Sequence, residues 1–137
     1  ATAMGTILVY FNTDAIVAEM LSGITSNKYL LIFFVCTLII ILGTFMETVA
    51  LIMIMTPILL PMMIGIGMSP IQFGVVMTFG VILGNITPPV GMNLYVGCAI
   101  SGVSFATLSH AIMPFIATMI GVFYLISYVP IFSTCLL

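Results

Sequence analysis

The sequence predicts an all-α integral membrane protein in which a re-entrant helical hairpin lies beside a discontinuous transmembrane helix. Three observations carry this. The 137 residues are 64% hydrophobic and 3% charged, with a mean hydropathy of +1.48, too few charges to cover a water-soluble domain. A long apolar run from Tyr29 to Met68 holds one charge, Glu47, near its centre. A second apolar run is interrupted by adjacent prolines, Pro88 and Pro89.

Composition also excludes. Runs such as Tyr29–Leu42 lack the alternation of a β-barrel strand. No basic patch is present for nucleic acid, and the net charge of −2 names no partner. Cys36, Cys98 and Cys135 have no metal-ligand spacing, and an odd number argues against a disulfide framework. They read as small buried hydrophobes. An enzyme is not expected: there is one His, no His/Glu metal motif, and no Ser/His or Ser/Lys arrangement at a plausible spacing.

Residues 1–28 read as the end of a membrane helix followed by an interfacial helix. Ala1 to Phe11 is apolar but too short to span. It lacks the charged start and cleavage site of a signal peptide, so it reads as part of a longer chain. Asn12-Thr13-Asp14 offers an N-cap for a short helix through Leu21, with Asp14 and Glu19 at the water interface. Ser22 to Lys28 is a polar turn. Lys28 is the single basic residue, so orientation cannot be counted from charges.

Residues 29–61 are expected to form the hairpin. A single helix from Tyr29 to Met68 would be about 60 Å long, twice the hydrocarbon thickness, so it must fold back. The turn falls at Gly43-Thr44-Phe45-Met46-Glu47-Thr48. The legs, Tyr29–Leu42 and Thr48–Leu60, each reach only about 20 Å. Phe45 and Met46 are also poor residues for an aqueous loop, which favours a re-entrant tip over two short tilted spans. Pro57 and Pro61 are expected to end the second leg.

Residues 69–101 read as a broken helix. Ser69-Pro70-Ile71-Gln72 has an N-cap, a proline at the first helical position and a Gln three residues on, a capping box. The helix should run to about Leu83. Pro88 and Pro89 then lack the N–H groups that the carbonyls of Gly84 and Asn85 would need, and Thr87 is pushed towards extended geometry. The flanks are too short to span alone, which argues against an ordinary loop between two transmembrane helices. A second half-helix follows from about Gly91 to Ser101. Residues 105–130 form the last membrane helix, kinked at Pro114 and stopped by Pro130. His110 near its start reads as structural or interfacial.

The two breaks carry the candidate chemistry. Each contributes a helix C-terminus with carbonyl oxygens and partial negative charge, suited to a small hard cation such as Na⁺. The backbone oxygens of Gly43, Gly84, Thr87 and Val90, with the Thr87 hydroxyl, are the candidate ligands. The half-helices that follow present N-termini, suited to an anion such as a carboxylate. Thr48 and Asn93 add polar contacts there, and Thr44, Pro88, Pro89 and Gly91 complete the candidate substrate set. Glu47 belongs either to this set or to a hydrogen-bonded structural cap.

Gly43-Thr44-Phe45-Met46-Glu47, Pro57-Ile58-Leu59-Leu60-Pro61, the segment Gly84-Asn85-Ile86-Thr87-Pro88-Pro89-Val90-Gly91-Met92-Asn93-Leu94, and Pro114-Phe115 occur in an order and spacing that resembles the large membrane subunit of TRAP (tripartite ATP-independent periplasmic) transporters. The resemblance covers roughly Tyr29 to Pro130. It implies one inverted repeat, the C-terminal one, of an elevator-type secondary transporter in the bacterial inner membrane. It implies Na⁺-coupled uptake of organic acids such as C4-dicarboxylates or sialic acid. The implied partners are a periplasmic substrate-binding protein, a small membrane subunit, separate or fused, and the N-terminal repeat of the same permease in the lipid bilayer. It also implies that Gly43, Gly84, Thr87 and Val90 belong to a Na⁺ site. Two alternatives remain open: a permease like the divalent anion/Na⁺ symporters, and a channel or structural membrane subunit.

Overall fold

A computed structural model describes residues 27–135, together with Glu19 and Gly23, both helical and exposed. The expectations for the rest of the first 26 residues lie outside the described residues. The helices are α1 (Lys28–Phe45), α2 (Thr48–Gly65), α3 (Pro70–Asn85), α4 (Met92–Ser101), α5 (Phe105–Tyr128) and the short α6 (Pro130–Thr134). α1, α2 and α5 are long and apolar enough to cross a membrane.

α3 is the centre of the packing. Its buried face, Phe73, Val76, Met77, Gly80, Val81 and Gly84, meets Val35, Cys36 and Ile39 of α1 and Phe123 of α5 in one apolar core. α1 and α3 run in the same direction: Ile39 meets Gly80, and four residues on Gly43 meets Gly84. α5 runs against both. The Tyr128 hydroxyl donates to the Tyr29 carbonyl at 3.1 Å, and the hydroxyls of Thr37 and Tyr124 are 2.8 Å apart. The Cys36 thiol donates to the Ser127 hydroxyl, which donates to the Phe123 carbonyl.

Gln72 does not close the capping box. Ser69 does cap α3, accepting from the Ile71 N–H, but the Gln72 amide points into the core and donates to the carbonyls of Ser127, at 3.0 Å, and Ile126. Those carbonyls lie in the last turn of α5, where helical partners run out. Leaving them bare in an apolar interior costs more than leaving one N–H at an exposed helix start.

The helices of the first pair are longer than the sequence suggests. α1 continues through Gly43 and Thr44, whose hydroxyl donates back to the Ile40 carbonyl. α2 continues through Pro57 and Pro61 to Gly65. Each proline removes one hydrogen bond, whereas unwinding would strand several carbonyls in an apolar setting. At 18 residues each, both helices are about 27 Å long, so leg length no longer argues for a re-entrant turn.

Relative depth bears on that question instead. Lys28 Nζ lies 3.6 Å from where a Cβ on Gly67 would stand, so α1 starts where α2 ends. The turn between them, Met46-Glu47, stands about 24 Å along α1 from Tyr29, two thirds of the way up the roughly 36 Å of α5. α4 carries on beyond that level. Gln72 pairs with Ser127 and Gly97 meets Leu108, points separated by about 28 Å along α5. The path from Gln72 to Asn85, about 20 Å, and from Met92 to Gly97, about 8 Å, accounts for that rise only if α3 and α4 lie end to end.

Candidate functional site

Four helix ends meet at the level of the two breaks. α1 ends at Phe45 and α3 at Asn85, and because the helices are parallel both C-termini point to the same place. α2 starts at Thr48 and α4 at Met92. The approach is set by Gly43 and Gly84. A Cβ on Gly84 would stand 2.7 Å from the Cα and carbonyl carbon of Gly43 and 2.7 Å from the Ile40 oxygen, so no other residue fits there.

Glu47 is the N-cap of α2. Its two carboxylate oxygens accept from the N–H groups of Val49 and Ala50, each at 3.0 Å. Of the two roles open to it, the geometry shows the cap. One of the two N-termini is thereby occupied by a carboxylate of this chain. The other belongs to α4, whose N-cap, Gly91, has no side chain to offer. Met92 and Asn93 in its first turn are exposed.

Between α3 and α4 the chain unwinds from Ile86 to Val90, with a cis bond between Pro88 and Pro89. The Gly84 carbonyl is not left bare: the N–H groups of Ile86 and Thr87 turn inward to it, Thr87 at 2.9 Å. A tight turn thus replaces the α-helical partner that Pro88 lacks. The Thr87 hydroxyl donates to the Leu83 carbonyl at 2.6 Å, so its proton is directed away and its lone pairs stay open. A Cβ on Gly91, which has φ +53°, would stand 3.1 Å from the Thr87 carbonyl oxygen and 3.3 Å from that of Asn85. A side chain at this position would crowd both oxygens and strain the left-handed turn that Gly91 takes.

The remaining candidate residues divide by burial. Gly43, Thr44, Gly84 and Gly91 are buried, Thr48, Thr87, Pro88 and Val90 half-buried, and Glu47, Pro89 and Asn93 exposed. Among the described residues no three His, Cys, Asp or Glu side chains come together, and the carboxylate at the first break, Glu47, is engaged as a helix cap. A groove of about 470 Å³ along α3, lined by Ile71, Gly74, Val75, Thr78, Phe79 and Ile82, is apolar and away from the breaks.

Asn85 is the residue that sequence reasoning passed over. It is 6% exposed. Its Nδ2 donates to the Thr48 hydroxyl oxygen, tying the end of α3 to the start of α2. Its Oδ1 has no hydrogen-bond partner, a state that costs about 1–3 kcal/mol in a protein interior. The available signal was an amide inside an apolar run, four residues before Pro89.

This is an integral membrane protein whose described residues form only helices, with Thr44, Glu47, Thr48, Asn85 and Thr87 at the two breaks. The chain belongs to the DctM component family of tripartite ATP-independent periplasmic transporters, whose model matches residues 1–132. It is 37% identical over 130 residues to the isethionate TRAP transporter permease protein DctMQ of Oleidesulfovibrio alaskensis, covering 95% of this chain and 20% of that protein. It is 30% identical over 135 residues to the sialic acid TRAP transporter large permease protein SiaM of Vibrio cholerae, covering 98% of this chain and 32% of that one. It is 31% identical over 149 aligned residues to the C4-dicarboxylate TRAP transporter large permease protein DctM of Rhodobacter capsulatus, covering 97% and 33%. The chain thus spans a third or less of the length of these relatives.

Proposed function

We propose that this chain is part of the membrane permease of a Na⁺-coupled secondary transporter that imports organic acids across the bacterial inner membrane. In this reading it forms one of two inverted repeats that move together as an elevator. The N-terminal repeat, a small membrane subunit and a periplasmic substrate-binding protein complete the machine. The family supports a transporter subunit, and the named substrates of the relatives, isethionate, sialic acid and C4-dicarboxylates, are all organic anions.

The observation that carries the reading is the convergence of two helix C-termini at the Gly43–Gly84 contact. Two partial negative charges of about half an electron each stand side by side, held there by glycine packing. Na⁺ held by the carbonyls of Gly43, Thr87 and Val90, by the Thr87 hydroxyl, and by the Gly84 carbonyl in exchange for the N–H groups of Ile86 and Thr87 that it now accepts, removes that repulsion. The uncapped N-terminus of α4, with Asn93 in its first turn, takes the anionic group of the substrate, a carboxylate or a sulfonate. Thr44, Thr48, Pro88, Pro89 and Gly91 shape the surroundings of both ions. Cation and anion then stabilise each other across the break, which is the basis of coupling.

The test uses the full permease with its partner subunits in proteoliposomes, supplied with binding protein and a panel of isethionate, sialic acid and C4-dicarboxylates. Uptake of one of these is expected to require a Na⁺ gradient, and Thr87→Ala to weaken the apparent Na⁺ affinity. Uptake indifferent to Na⁺ removes the mechanism.

A further inference from the structure

Asn85 and Thr48 join the two breaks, and one atom of that link is unused. Asn85 is the last residue of α3 and Thr48 the first of α2. With Nδ2 held by the Thr48 hydroxyl oxygen, the amide plane is fixed and Oδ1 is left buried without a donor. Several donors at the two breaks are engaged elsewhere. The Thr87 N–H goes to Gly84, the Thr87 hydroxyl to Leu83 and the Thr44 hydroxyl to Ile40. The N–H groups of Val49 and Ala50 go to Glu47, and Pro88 and Pro89 have none. Among the described residues no donor reaches this oxygen.

We propose that Asn85 Oδ1 is a side-chain ligand of the alkali cation at the breaks, with Thr48 as the positioning residue that aims it. An amide oxygen is a neutral hard donor of the type that suits a hard cation, and the neighbouring carboxylate, Glu47, is engaged as the cap of α2. Because the same amide grips the first residue of α2, cation occupancy sets the position of that helix start relative to α3. The inference rests on the Na⁺ reading above and adds to it a ligand and a mechanical link.

The experiment measures thermal unfolding of the full purified permease with its partner subunits in mixtures of NaCl and choline chloride at constant ionic strength. The readout is the Na⁺ concentration giving half-maximal protection. Thr48→Val, which frees the amide to rotate, is expected to raise that midpoint by about tenfold, as for groups that orient metal ligands, and Asn85→Ala, which removes the ligand, by more. Protection of the wild type by Na⁺ together with an unchanged midpoint in Asn85→Ala overturns the proposal, because a water then satisfies Oδ1. A merely structural role lowers the melting temperature in choline and leaves the midpoint in place, which overturns it equally. If Asn85→Ala does not fold, Thr48→Val decides by the same criterion. A wild type that Na⁺ does not protect removes the Na⁺ reading itself, and the proposal with it.

Discussion

Gly84 rests on Gly43 with no space for a methyl group between them, and the contact is not symmetric. A Cβ on Gly84 would collide at 2.7 Å with Gly43 backbone and the Ile40 oxygen, whereas a Cβ on Gly43 would meet the Val81 oxygen at 3.1 Å and Gly84 Cα at 3.3 Å. Backbone cannot swing aside as the end of a flexible side chain can. Gly84→Ala must therefore push α3 off α1 and separate the two C-termini. It should destabilise by about 1–3 kcal/mol or more, and Gly43→Ala by distinctly less. Denaturant titration of the full permease in micelles checks the order. Equal losses would show that the helices can part here at no special cost.

Gln72 supplies the donor for the last turn of α5. Its amide is 5% exposed and reaches the Ser127 carbonyl at 3.0 Å. Gln72→Leu fills similar space but takes the side-chain donor from the buried Ser127 carbonyl, a loss of about 1–3 kcal/mol, while the Ile126 carbonyl keeps the Ser133 hydroxyl. Gln72→Glu sets an acceptor against acceptors and should be worse. The same titration measures both, and a Gln72→Leu protein as stable as wild type would mean that water reaches the end of α5.

Glu47 acts through its oxygens on two N–H groups, so shape matters more than charge. Asn or Ser at this position still accepts a hydrogen bond at a helix start. Glu47→Asn is expected to keep most of the thermal stability and Glu47→Ala to lose it, with the Na⁺ midpoint unmoved in both. A large shift of that midpoint in Glu47→Asn would return the carboxylate to the cation site.

The architecture was legible because its signals are local. Apolar length, the Ser69-Pro70 start and the double proline each act within one or two turns. The site was legible only in outline. That Gly43 and Gly84 touch depends on α1 and α3 running parallel, which no periodicity reports. Gln72 was misread because its partner lies 55 positions away, and a buried α5 terminus outcompetes a local cap. Pro57 and Pro61 were misread because a proline rule learned in water overstates breakage where an unwound turn would have no solvent.

The prolines themselves test that last point. In α2 the helix already runs through Pro57 and Pro61, so Pro57→Ala and Pro61→Ala only return N–H groups to the carbonyls of Met53 and Pro57. Stability should hold or rise, and the Na⁺ midpoint should stay where it is. At the second break the same chemistry has the opposite consequence. Pro88→Ala with Pro89→Ala returns N–H groups to the carbonyls of Gly84 and Asn85, which lets α3 extend by about a turn. The extension turns inward the Asn85 and Thr87 oxygens beside Gly91, and it carries Thr87 into regular helix. The double variant should therefore fold at least as stably as wild type yet need far more Na⁺ for protection. Two proline pairs with the same Na⁺ midpoint would mean that the unwound segment is not what holds the cation.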